Sequence, residues 1–294
     1  MSANPALITS RDPKGRQGTD LFEAAYNAVG LDDDGAQRFN ESPETKTRLM
    51  AVISDIAGPN QYAGQEVPSS YGYLSGYTRP KGVTKQVEGL LQRFPDLNPE
   101  SALRYEHDVY PTLSLPEWVE GPFAIPQPER VAPTYGEAVK TTLVLLNKAR
   151  NGKFYNYRGD NLGEAYLRQH ERTIRMLQTL VEQQENPDIL IVPAQFGIRH
   201  RGRSVLSARE KFQAREFGLG AFGTGIMILT HPERLQQYDD LWIDCAGDEY
   251  ASDADGDFSL APYFNFFDRK LKFDALWVAS PHAHYGSASA FLPQ

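Results

Sequence analysis

The sequence predicts an α+β protein, with a mixed α/β arrangement as the alternative: a helical, loop-rich N-terminal part and a C-terminal part whose mixed β-sheet is flanked by helices. Three observations carry this. Of the 20 prolines, 14 precede residue 135, so the first half is cut into short helices by long irregular connections. Beyond it, apolar residues recur at helical spacing behind capping signals. Between those helices, short apolar runs such as 189–192 have the character of buried strands.

Residues 20–29 read as a helix with Asp20 at its N-cap, Glu23 three residues on and Gly30 as the stop. Ser42 and Pro43 open a second, whose Leu49, Met50, Val52, Ile53 and Ile56 form a broad apolar face before Gly58 and Pro59 end it. A third covers 84–94, with Val87, Leu90, Leu91 and Phe94 facing inward. Between the last two, the loop 58–82 holds Tyr62, Tyr71, Tyr73 and Tyr77. Such rings either pack back on the helices or stand out to anchor a protein chain or stack on bases.

In the second half, Thr134 and Glu137 make a capping box for a helix that buries Ala138, Val139, Leu143 and Leu146. A longer helix is expected over 162–184, with His170 on its apolar stripe. Strands are expected at 189–192, 226–229 and 241–243, and Ser207 with Glu210 caps a helix reaching Phe217. The runs 263–267 and 271–278 read as an antiparallel hairpin about a turn at 268–270. The expected division is 1–134 and 135–294, which can also form one continuous domain.

With 294 residues, 40% hydrophobic and 23% charged, the chain can bury a sizeable core and shows no bias towards disorder. No apolar run reaches the ~18 to 20 residues of a membrane helix. The N-terminus lacks the apolar segment of a secretory signal, and the single Cys245 suits a reducing compartment. A soluble cytoplasmic protein is the expectation. A net charge of −8 argues against a surface that coats nucleic acid or an anionic membrane. The charge is uneven, however: 199–215 carries +5 and 239–257 carries −8.

The basic segment is the first candidate site. Arg199, His200, Arg201, Arg203 and Arg209 follow an expected strand, and guanidinium forks suit phosphate. Gly197 and Gly202 allow close backbone approach to a ligand. The leading expectation is a binding protein that recognises nucleic-acid phosphate or a phosphorylated small molecule. The plainer alternative pairs these arginines with the acidic stretch. A second function class is a structural or interaction protein that binds other protein chains, or copies of itself. A third is a metal-dependent hydrolase drawing on Asp248, Glu249, His282 and His284.

Asp253, Asp255 and Asp257 around Gly256 offer carboxylates to a divalent cation, Ca²⁺ or Mg²⁺. An EF-hand loop would need Gly and Glu where this chain has Phe258 and Phe264. His282 and His284, placed on a strand, would present two metal ligands on one face. Gly218, Gly220 and Gly223 satisfy G-x-G-x-x-G, but with a helix expected before and a strand after, the reverse of a dinucleotide-binding turn. Cys245 reads as a small buried hydrophobe rather than a nucleophile. Tyr157, Arg158 and Gly159 resemble the arginine element of mono-ADP-ribosyltransferases; the resemblance covers three residues, and the Ser-Thr-Ser strand and Glu-x-Glu loop of such enzymes have no counterpart here.

Overall fold

The structure, a computed structural model, describes residues 9–57 and 62–293. Packing divides the chain into Met1–Pro59 and Asn60–Gln294. Residue 134 marks a change of composition but no break in packing, because strand pairing and the main core both span it.

In the first unit, α1 (Pro13–Val29) ends as expected at Gly30, whose left-handed φ of 65° lets its N–H reach the Asn27 carbonyl. It starts well before Asp20. Pro13 occupies its first turn, where a missing N–H costs nothing and a fixed φ favours the helix. The unforeseen α2 (Asp33–Glu41) is capped by Asp32, which accepts from Gly35 N–H at 2.7 Å. α3 (Thr45–Ala57) follows.

The second unit holds the core. Its first helices are α4 (Val83–Leu91) and α5 (Glu100–Asp108), followed by strand β1 (Gly121–Pro126) and helix α6 (Tyr135–Ala149). Thr134 accepts from Glu137 N–H, as the capping box requires. The expected long helix over 162–184 is broken. After β2 (Phe154–Asn156), β3 (Leu167–Gln169) pairs with a later strand, and His170 ends it as the N-cap of α7 (Glu171–Gln183). His170 Nδ1 accepts from Arg172 N–H, so this ring is a cap and not a core residue of a longer helix.

β4 (Ile189–Gln195) is buried throughout. α8 (Val205–Lys211) is capped by Ser204 rather than Ser207, and ends before β5 (Glu216–Gly218). The run 226–229 lies in α9 (Ala221–Thr230), not in a strand. A wholly apolar run carries no period to separate a buried helix from a buried strand. The remaining strands are β6 (Trp242–Asp244), β7 (Asp248–Tyr250), β8 (Leu260–Phe267), β9 (Lys270–Trp277), β10 (Tyr285–Ser287) and β11 (Ser289–Phe291). β8 and β9 form the expected hairpin; Asp268 and Arg269, both at positive φ, make its two-residue turn.

These strands form an antiparallel sheet of order β1-β4-β11-β5 and a mixed sheet in which β10-β6-β8-β7-β3 is extended by β9 and β2. The expected α+β class is correct. The two sheets meet where the chain passes from β10 to β11 at Ala288, whose N–H donates to the Asp244 carbonyl and whose own carbonyl accepts from Leu219 N–H. Glycine pairs hold this junction. A Cβ on Gly286 would lie 2.2 Å from the Gly197 carbonyl oxygen, and one on Gly247 would lie 2.4 Å from the Gly218 oxygen.

Because the obstacle at Gly286 is backbone, Gly286→Ala is expected to lower unfolding stability by about 2 to 3 kcal/mol, the upper range for overpacking. Gly64→Ala, with open space at its Cβ, serves as the control. Urea denaturation of both variants reads the difference, and equal midpoints would remove the clamp from the account.

Candidate functional site

The basic segment sits at the sheet junction, and its side chains are engaged within the chain. Arg199 Nε lies 3.0 and 3.1 Å from the two oxygens of the buried Glu216, and its guanidinium stacks 4.5 Å over Trp118. His200, also buried, donates from Nε2 to Glu216 Oε1 at 2.7 Å. Arg203 faces Glu66 and donates to His200 Nδ1 at 3.0 Å. Arg209 donates to the Ala246 and Asp248 carbonyls. Arg201 alone of the five is exposed, and it donates to the Tyr71 carbonyl.

The protonation states follow from donor counting. A guanidinium can only donate, so His200 Nδ1 must accept from Arg203, and its one proton sits on Nε2 facing Glu216. His200 is therefore neutral, in agreement with burial pushing its pKa down against the pull of Glu216. Burial acts to raise the Glu216 pKa, but hydrogen bonds from His200, Ser289 Oγ and Gln213 N–H outweigh it and hold the carboxyl below its usual range. Ser289 donates straight to the carboxylate, with no imidazole between. This order cannot activate the serine as a nucleophile, because the base of a triad must stand next to the hydroxyl.

The acidic stretch divides in two. Asp240, Asp244 and Asp248 are buried, whereas Asp253, Asp255 and Asp257 are exposed in the loop between β7 and β8. Asp240 accepts from four backbone N–H groups and from Ser75 Oγ, which ties the loop before α4 to the body. The acidic stretch is thus partly structural, not one solvated loop. The arginines meet Glu216 and Glu66 instead of its carboxylates.

Asp248 explains the glycine motif. Contrary to the expected order, strand β5 precedes Gly218-x-Gly220-x-x-Gly223 and helix α9 follows, as in a dinucleotide-binding turn. The anion position is filled from within: Asp248 Oδ2 accepts from Ala221 N–H at 2.7 Å, and Tyr135 hydroxyl donates to the same carboxyl at 2.8 Å. A Cβ at Gly220 would strike both groups, so the glycine makes room for Asp248 rather than for a pyrophosphate. Burial raises this carboxyl to about 7 despite those two donors.

Asp244 differs. It is 6% exposed, none of its carboxyl contacts is a hydrogen bond, and burial raises it to about 8. Across the sheet it stands between Ser287 on β10 and Tyr263 on β8, and Tyr263 in turn stands beside Asp274 on β9. Ser287 Oγ, Asn265 Oδ1 and Arg158 Nε are buried without partners on or beside these strands.

Among the described residues, no group of three or more His, Cys, Asp or Glu is placed to hold a metal ion. Asp253 accepts from Asp255 N–H in a local turn. His282 and His284 lie in the loop before β10, not on a strand; His284 stacks 3.8 Å from the Tyr71 ring, and His282 lies against Tyr285. Burial pushes the Cys245 thiol well above its usual value, away from thiolate chemistry. Arg158, the residue of the ADP-ribosyltransferase resemblance, pairs with Asp274.

The tyrosine loop also turns inward. Tyr73 and Tyr77 hydroxyls donate to opposite oxygens of Glu120, and the Arg234 guanidinium lies 3.8 Å over the Tyr73 ring. Nothing in the sequence marked Glu120, Glu216, Ser289 or Asp244 as partners. Glu216 falls one residue beyond the basic segment, and all four are drawn together by strands distant in sequence.

No family model, curated protein or solved structure matches this chain. Among the described residues, no helix is long and apolar enough to cross a membrane.

Proposed function

We propose that this protein is a structural or interaction protein that binds another protein chain through its N-terminal helical unit. One observation carries the reading. Among the described side chains of that unit none is buried, yet Leu21, Phe22, Val29, Leu31, Met50, Val52 and Ile53 are large, apolar and exposed. Leu21 is 73%, Val29 69% and Ile53 60% exposed.

Isolated helices of this length are marginal in water, and most helical stability comes from covering an apolar face. A concentration of apolar side chains at helical spacing with no core beneath it is the pattern of a segment that completes its packing on a partner. An anion site at Arg199, His200, Arg201, Arg203 and Arg209 would need donors already given to Glu216, Glu66, His200 and backbone carbonyls. That leaves the interaction reading with the stronger support.

The test changes Leu21, Met50 and Ile53 together to Glu. These residues are exposed, so the fold of the second unit should hold while binding of a hydrophobic dye and particle size in light scattering both fall. Association should persist at high salt, unlike an assembly held by charge. Unchanged dye binding and particle size would refute the reading.

A further inference from the structure

Resting on that reading, we infer that the partner is a second copy of this chain, docked through an antiparallel pairing of the two α1 helices about a two-fold axis at Ala25. The α1 surface is self-complementary in shape and in charge.

Leu21, Ala25 and Val29 recur at four-residue spacing and form one stripe along the helix, with Ala24 and Ala28 beside it. All five are exposed. Phe22 and Tyr26 are turned towards α2, where Tyr26 meets Phe39 with ring centroids 5.3 Å apart. The aromatic stripe is thus used inside the unit, and the aliphatic stripe is left. About a two-fold axis at Ala25, Leu21 of each copy meets Val29 of the other. The alanines between them allow the two backbones to approach closely.

Charge fixes the direction. Arg11 and Arg16 stand at the start of α1, and Asp32, Asp33 and Asp34 stand just past its end. Arg11, Arg16, Asp33 and Asp34 form no ion pair with any described residue. Arg16 and Asp34 are equally far in sequence from Ala25 on opposite sides. Antiparallel pairing therefore brings the basic start of each helix to the acidic end of the other, whereas parallel pairing would set like charges together. A two-fold interface of this kind uses one patch on both copies and closes on itself.

A single helix pair buries less than the ~1,200 Å² at the low end of stable interfaces. The dimer should accordingly be weak and concentration-dependent. Arg16→Glu is expected to weaken it about fivefold, and adding Asp34→Arg should restore it. Ala25→Cys places a thiol on the axis, so mild oxidation should give a disulfide-linked dimer of the full chain. Glu23→Cys, about 200° round the helix, should not cross-link. Cys245 is buried and does not compete.

Light scattering over a concentration series, with oxidation of both cysteine variants, separates the outcomes. A dimer, a cross-link at position 25 only and rescue by the charge swap support the proposal. A dimer lost on changing Leu21, Met50 and Ile53 to Glu, but without a cross-link at 25, overturns this pairing and leaves the interaction reading standing. A chain that stays monomeric while its dye binding falls in that variant overturns the second-copy partner and again spares the reading. Association indifferent to all these changes overturns both.

Discussion

Replacing Glu216 by alanine is expected to lower unfolding stability by about 3 to 5 kcal/mol, the range for breaking a buried ion pair on one side. The carboxylate accepts from Arg199, His200, Ser289 and Gln213 N–H, and its removal leaves two buried side-chain donors and one guanidinium without an acceptor. Glu216→Gln keeps the shape but adds donors facing His200 Nε2–H and Ser289 Oγ–H, so it should lose much of the same stability. Arg199→Ala should cost less, since Arg199 is partly exposed and His200 and Ser289 still find their acceptor. Chemical denaturation of the three variants gives the order. If Glu216→Ala stays within about 0.5 kcal/mol of the parent, as a surface change would, the cluster is decoration rather than structure.

The other large effect is a pH dependence at Asp244. Unfolded, this carboxyl titrates near 3.8; folded, burial raises it to about 8. Between those values the folded state keeps a proton that the unfolded chain releases, so stability is full below the lower value and falls as pH rises towards the upper one. The slope is about 1.4 kcal/mol per pH unit for one group. Asp248, raised to about 7, adds a second slope that ends one unit earlier. Asp244→Asn removes only the first. Its stability relative to the parent should be near zero at pH 5 and should grow with each unit until about pH 8. Urea midpoints of both proteins across pH 5 to 9 measure this, and parallel curves would show that Asp244 ionises normally in the fold.

The sequence by itself determined the class, the helix caps at Thr134 and Gly30, the strand at 189–192 and the hairpin about Asp268 and Arg269. Each of these rests on local physics: a hydroxyl within reach of a free N–H, a left-handed residue after a helix, or alternation on a pleat. It also exposed the apolar face of the helix opened by Ser42 and Pro43. What it could not show is that Met50, Val52 and Ile53 stay in solvent, because an amphipathic stripe states only that a face wants covering.

Tertiary structure alone decided the rest. The run 226–229 became a helix because it is buried on every side, and no period survives in a wholly apolar run. Whether a charge is free depends on carboxylates far away in sequence, and Glu120, Glu216 and Asp248 reach their partners only when the two sheets meet at Ala288. The arginines and the glycine motif looked like sites for an external anion. The fold supplies the anions itself, because a buried guanidinium or helix start must be met by a carboxylate wherever water is shut out.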